Sequence, residues 1–338
     1  MTGPTLTKET EHAGAATAVT STVRARLQQF LAFGGLIVIF AFFSIVGDNF
    51  FNYGNITNIL FSTVVIGLLA LGTTFVIITG GIDLSIGTGM ALCAVMSGVF
   101  IVNAGVPLPL GVLGAILFGG LIGLVNGLSV AVLKLPPFIA TLAMMLVAQG
   151  LALVVSHSAP IYFSDSPAYI ELSIGSIIPG ANFPNAVLVL AVAAVIAGVV
   201  LNRTVLGRYT YSIGSNEEAT ALSGIDVRRW KIVIYTVAGL FTGLAGVMIS
   251  ARLGSAQPAT GMGYELQAIA AVVIGGTLLT GGSGSMMGTL AGVLLLNVIN
   301  NVINQVGTLS SYFQQVVSGV FLIVVVLIQR YLSREQRL

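Results

Sequence analysis

Charge is what this chain has least of. Only 7% of its 338 residues are Asp, Glu, Lys or Arg, against roughly 25% in a soluble domain. The deficit excludes a water-facing surface over most of the chain and makes lipid the expected solvent. Net charge is +2 and the thirteen basic residues form no stripe, which excludes a nucleic-acid-binding face. A single cysteine, Cys93, excludes an intrachain disulfide framework, and its apolar surroundings read as core with no redox role. No glycine-rich phosphate loop with its lysine is present, no nucleophile–base pair and no cluster at metal-ligand spacing, so no enzyme reading holds and no metal site is expected. His157 has no histidine or carboxylate at ligand spacing and reads as a plain interfacial histidine, beside a metal or proton-relay alternative.

Apolar surface is abundant: 56% of residues are hydrophobic, 42 are glycine, and the mean hydropathy is +1.02. Residues 1–26 form a Thr/Ala/Ser-rich polar tail, expected to be disordered and not a signal peptide. Beyond it the chain divides into segments of the roughly 20 residues that cross a bilayer. They are expected near 28–47, 56–79, 85–104, 108–133, 138–156, 185–202, 231–251, 264–281, 286–306 and 311–331. The fold class is thus all-α, a polytopic membrane protein of about ten transmembrane helices, with both termini on one side. If that side is the cytoplasm, twelve of the thirteen basic residues lie inside (Lys134, Arg203, Arg208, Arg228, Arg229 and Lys231 among them) and only Arg252 lies outside.

The internal loop after Arg203 holds the most distinctive polar run, Gly214 to Gly224. Ser215 or Asn216 suits a helix cap, Glu217 and Glu218 suit a first turn, Ala219 and Ala221 keep the middle slim, and Ser223-Gly224 suits a terminus. About two turns, roughly 12 Å, are expected. A helix so short is marginal alone in water and needs a groove. A tidy linker turn is the other reading.

Several polar residues stand out within the spans. Gly80-Gly81 ends one span, and Asp83, two residues before Ser85, reads as a capping or turn carboxylate, with gating or ion coupling as the alternative. Thr280-Gly281-Gly282 and Ser285 echo that break. Asn297, Asn300, Asn301 and Asn304 fall on one helix face and read either as interhelical glue or as a pathway wall; Asn126 and Gln149 are single candidates with the same two readings. Gly120, Gly123 and Gly127, with Gly239, Gly243 and Gly246, suit close helix approach. Arg252, Gln257, Tyr264 and Glu265 are expected at the external mouth.

Three blocks carry a family resemblance: Gly80–Gly87, Gly207–Ile225, and Ala251–Pro258 followed by Gly263–Thr277. In this order they resemble the ribose-type monosaccharide ABC transporter permeases, over roughly residues 50 to 330. The resemblance implies a single transmembrane permease domain over 27–338 in the bacterial inner membrane, importing a monosaccharide or related polyhydroxylated solute by alternating access. It implies a cytoplasmic ATPase with paired nucleotide-binding modules that binds ATP and Mg, a periplasmic sugar-binding protein, and a second permease copy or homologue. No cofactor is expected in this chain. By that similarity Gly214, Asn216, Glu217, Glu218, Ala219, Ala221, Ser223 and Gly224 would couple to the ATPase. On residue chemistry, and not on the resemblance, the asparagines as a pathway wall would meet sugar hydroxyls; Arg252, beside Gln257, Tyr264 and Glu265, would contact an acidic patch on the binding protein, or else pair with Glu265 or snorkel to lipid phosphate. Two departures are visible: Gln267, where family members commonly carry an acid, and Gly281–Ser285, which lacks their basic residue. An autonomous carrier or channel is the alternative, with Asp83 its one plausible coupling group.

Overall fold

Proline and glycine set the limits of the apolar runs. Pro107, Pro136 and Pro184 each precede a helix, where a fixed φ and a missing N–H cost nothing. The computed structural model describes residues 50–306 except 179, 181 and 182, with isolated positions between 34 and 45 and between 316 and 327. The tail 1–26, Asp48, Pro179, Arg330, Arg334, Arg337, half of the expected span 28–47 and most of 311–331 lie outside the described residues.

Between Tyr53 and Val306 eleven helices follow in order: α1 Tyr53–Ile78, α2 Ile86–Gly98 with a π-helical end to Asn103, α3 Leu108–Ala131, α4 Pro137–Val155, α5 Pro167–Ile174, α6 Asn185–Arg203, α7 Val205–Ser215, α8 Glu217–Leu222, α9 Val227–Leu253, α10 Tyr264–Ile274 and α11 Met286–Val306. Seven of them (α1, α2 with its extension, α3, α4, α6, α9, α11) are long and apolar enough to cross a membrane. One antiparallel two-residue ladder, Ile161–Tyr162 (β1) with Ser255–Ala256 (β2), crosses one end of the molecule. The other end holds α7, α8 and the turns at 79–85, 132–136 and 275–285.

α1 is the axis. Every residue from Thr63 to Ile78 is buried, as expected of a helix apolar on all sides and enclosed by others. Asn52 caps it, its side chain accepting from Gly54 N at 2.9 Å. α6, α9, α10 and α11 pack around it, with Thr74 Oγ1 and Thr289 Oγ1 2.8 Å apart on the α11 side. α3, α4 and α6 point Leu113, Leu117, Phe138, Leu146, Val192 and Val195 outward, the apolar face a bilayer requires. Cys93 on α2 is wholly buried against Gly246 of α9.

The glycine rows pair as their spacing suggests. A β-carbon on Gly239 of α9 would lie 2.9 Å from the Cα of Gly123 on α3, so backbone meets backbone and no side chain fits between. Gly127 faces Ile232 of α9 likewise, whereas Gly120 meets the Leu240 side chain.

One expected span ends early. The apolar run 264–281 forms a helix only to Ile274, eleven residues, too short to cross. Gly275 lies backbone to backbone against Gly288 of α11, and Gly276, Gly281 and Gly282 adopt positive φ (91°, 86° and 77°) that only glycine takes without strain. The freed backbone is satisfied internally: Leu278 N donates to Ser283 O at 3.1 Å and Gly282 N to Ile78 O at 2.8 Å.

Candidate functional site

Two polar regions lie at opposite ends of α9. At the ladder end, α1, α9, α10 and α11 enclose a cavity of about 530 Å³, within the roughly 300–1,000 Å³ of small-molecule sites. α11 turns its asparagine row into it: Asn297, Asn300, Asn301 and Asn304 all line the wall. Their spacing places them on one face; Asn297 is buried, Asn300 and Asn301 are half-buried, and Asn304 is exposed at the end of the row. Asn297 Nδ2 donates back to Val293 O at 2.9 Å, and Asn301 Nδ2 donates to Asn55 Oδ1 at 2.8 Å. The carboxamide oxygens of Asn300 and Asn301 are buried with no hydrogen-bond partner. An unsatisfied buried acceptor costs free energy, so these oxygens favour any ligand that brings hydroxyl donors.

Arg252, Gln257 and Tyr264 line the same cavity, together with Gln267, Ser62 and Thr260. Arg252 lies over the Phe61 ring, 4.2 Å to its centroid, and donates from Nη1 to Phe61 O at 3.3 Å. Gln257 Nε2 donates to Ser255 Oγ at 3.3 Å, which ties the cavity rim to the ladder. Glu265 is not in the wall. One residue on from Tyr264, it turns to α2, where it packs on Gly87 and its carboxylate accepts from Gly263 N at 3.1 Å.

Asn126 and Gln149 also stand apart from the cavity. Asn126 Nδ2 donates to Ser85 Oγ at 2.8 Å, and Ser85 donates through N and Oγ to Asp83 Oδ1 at 2.8 and 2.6 Å. Asp83 is thereby folded into its own turn beside α3; burial pushes its carboxyl above the ordinary range, opposed by the hydrogen bonds from Ser85 and Asn126. Gln149 Nε2 donates to Pro258 O at 3.2 Å and holds the rim segment against α4. The two glycine breaks meet: Gly80 adopts φ 78° close to Thr280 O, and Gly282 bonds Ile78. Gly214 of α7 closes the junction, since a β-carbon there would sit 2.6 Å from Gly282 N and nearer still to Ile78 O.

At the opposite end α8 stands proud of the helices. Asn216 caps it, accepting from Ala219 N at 2.9 Å, and Glu217 and Glu218 occupy its first turn. Thr220 is its buried root, bonded to Ser212 Oγ of α7 at 2.8 Å. Asn216, Glu217, Glu218, Ala219, Ala221, Ser223 and Gly224 are exposed, and Leu222 is 85% exposed, an apolar tip on a polar element. Gly224, at φ 83°, turns the chain toward α9. A groove of about 930 Å³ runs beneath, between α8, the start of α9 and Lys134 in the α3–α4 turn. Lys231 Nζ of α9 reaches Glu217 Oε2 at 2.6 Å across it.

A third hollow, about 850 Å³ between α6 and the α3–α9 pair, is walled by Val192, Ile196, Leu240, Phe241 and Leu244 and offers a polyhydroxylated ligand little to bond. Among the described residues no group of three His, Cys, Asp or Glu side chains converges on a metal position.

Sequence reading missed three parts of this arrangement. α7 is a separate helix with no strong boundary signal; Ser62 and Thr260 are isolated polar residues with no periodic partner; and the convergence of Arg252 with the asparagines joins positions far apart in sequence. Glu265 was separable, because Tyr264 and Gln267 share a helix face at i, i+3 and Glu265 does not.

Residues 55–326 match the family model for the branched-chain amino acid transport system / permease component. The chain is 42% identical over 296 residues to the ribose import permease protein RbsC of Escherichia coli K12, covering 87% of this chain and 91% of that protein. It is 43% identical over 304 residues to the ribose import permease protein of Bacillus subtilis (90% and 93%), and 36% over 303 residues to the fructose import permease protein FrcC of Rhizobium meliloti (88% and 84%). No solved structure matches.

Proposed function

This chain belongs to the permease-component family and is the permease subunit of a sugar-importing ABC transporter; from that premise we propose that the ladder-end cavity is a waypoint for the sugar and that α8 takes up the motion of a partner ATPase. The observation that carries the reading is the pair of buried, unpartnered carboxamide oxygens of Asn300 and Asn301 facing a cavity that holds a single formal charge, Arg252. Carboxamides both donate and accept, so they exchange bonds with sugar hydroxyls without holding one geometry tightly. Gln257, Tyr264 and Arg252 then belong to the pathway, while Asp83, Ser85, Asn126 and Gln149 position the helices around it.

The chain crosses the inner membrane ten times in this reading, α10 and the extended 275–285 together making one crossing, with both termini in the cytoplasm. The residues 27–338 form one permease domain behind a cytoplasmic tail, 1–26. α8 with its flanking residues, Asn216 to Gly224, docks in a cytoplasmic ATPase with paired nucleotide-binding modules, which supplies ATP, Mg and hydrolysis. A periplasmic sugar-binding protein delivers solute at the ladder end, and a second permease copy or homologue completes the assembly. The twelve basic residues on the α8 side of this topology support the orientation.

Asn301→Leu and Asn304→Leu test the pathway. Sugar uptake is expected to fall about tenfold or more, as for losing one or two transition-specific hydrogen bonds, while the yield of assembled complex stays near wild type. Equal falls in uptake and yield would make the asparagines interhelical glue.

A further inference from the structure

α8 is exposed almost everywhere, yet it is fastened at two points. Thr220 bonds Ser212 of α7, and Glu217 bonds Lys231 of α9. The second fastening occupies an unfavourable place. Arg228, Arg229 and Lys231 crowd the first turns of α9, where the helix dipole opposes cations. Asp226 offsets part of this as the cap, accepting from Arg229 N at 3.1 Å. Arg228 and Arg229 stay exposed; Lys231 alone turns inward, its side chain only 16% exposed, and ends on Glu217. A preference for basic residues on this side of a membrane explains three cations there, but not the inward turn of one. Among the described residues this is the one salt bridge.

α9 then runs without a break to Leu253, and its last turn places Arg252 in the wall of the polar cavity. Lys231 and Arg252 are twenty-one residues apart, about 32 Å along a helix. α9 is also stiffened by α3, because backbone packs on backbone at Gly119, Gly123 and Gly127 with no side chain to slide.

We propose that Lys231 is a positioning residue that latches α8 to α9 through Glu217, so that displacement of α8 is delivered by α9 to Arg252 and the sugar cavity. The inference rests on the docking of α8 in an ATPase. Without the latch, α8 joins α9 only through the Ser223–Asp226 turn, whose Gly224 sits at φ 83° and lets the chain flex. Glu217, 55% exposed, keeps its end of the pair in water, and pairs with a solvated end add little to stability. Its removal is therefore expected to loosen coupling while the fold survives.

The test uses the whole importer, permease with ATPase and binding protein, reconstituted in liposomes with ribose as the probe sugar. Lys231→Met is expected to lower the sugar accumulated per ATP hydrolysed about fivefold or more, the low end of measured coupling between sites. Lys231→Arg keeps the charge and is expected within about twofold of wild type. The exchange Lys231→Glu with Glu217→Lys restores the attraction and is expected to recover about half of the loss or more, short of all of it because Lys at 217 meets the α8 dipole. A wild-type ratio in Lys231→Met, or an exchange no better than Lys231→Glu alone, overturns the latch. ATPase retained on purification is measured on the same samples. Its loss from Lys231→Met alone makes Lys231 part of the docking surface and also overturns the latch, whereas its absence from the wild-type chain removes the docking reading beneath it.

Discussion

α9 and α10 both lie in apolar runs that contain glycine, and both present side chains to the polar cavity, yet one runs 27 residues and the other stops after 11, just before its glycines. The difference is where the glycines sit. Gly239, Gly243 and Gly246 lie inside α9 at helical φ and are absorbed in contacts with α3 and α2. Gly275 and Gly276 are adjacent, with φ 91° at the second, and they end α10 halfway through the apolar run. Glycine inside a membrane helix thus does opposite things according to whether a neighbouring backbone claims the space or the chain itself turns.

Three glycine substitutions break or sharpen that contrast. The largest effect is expected from Gly239→Leu, which forces a side chain against the Gly123 Cα, 2.9 Å from its β-carbon. Overpacking of this kind costs about 3 kcal/mol or more where the neighbour is backbone, and thermal unfolding in detergent should show a marked fall in Tm with loss of membrane yield. A Tm unchanged from wild type would mean that α3 and α9 are not in contact. Gly276→Ala is expected to be milder, about 1–2 kcal/mol for an L-residue held at positive φ, with Tm lowered by less than in Gly239→Leu. If Tm rose instead, the break after Ile274 would owe nothing to backbone geometry and the contrast would collapse. Gly224→Ala is the smallest for stability, about 1 kcal/mol in an open turn. Combined with Glu218→Ala, it is expected to leave the permease folded while sugar uptake falls and ATP hydrolysis persists. Unchanged uptake would remove α8 from any coupling role.

Much of this was legible in the chain. Composition settled the solvent, and the seven long helices begin and end within four residues of the expected limits, with Pro107, Pro136 and Pro184 marking the starts of α3, α4 and α6 and Gly254 the end of α9. The cap at Asn216 and the asparagine row were legible for the same reason, since each depends on near neighbours in sequence. The stop at Ile274 was not, because hydropathy continues through Leu278 and Leu279 and does not distinguish an apolar helix from an apolar turn packed on α11. Nor was the placement of Arg252, expected at an open mouth and found over Phe61 on α1, 191 positions away. Contacts of that range depend on helix rotation, which a hydrophobic pattern fixes poorly when every face of a helix is apolar.

Cys93 carries a practical consequence of the packing around it. As the one thiol in the chain, fully enclosed between α2 and Gly246 of α9, it is shielded from water-borne reagents while the fold holds. A second cysteine introduced at Leu222, on the exposed tip of α8, would then be the sole labelling position without any need to remove the native one. A fluorophore or spin probe there would report the movement of that tip through the transport cycle, and sudden labelling of Cys93 would serve as an internal alarm that the bundle has opened.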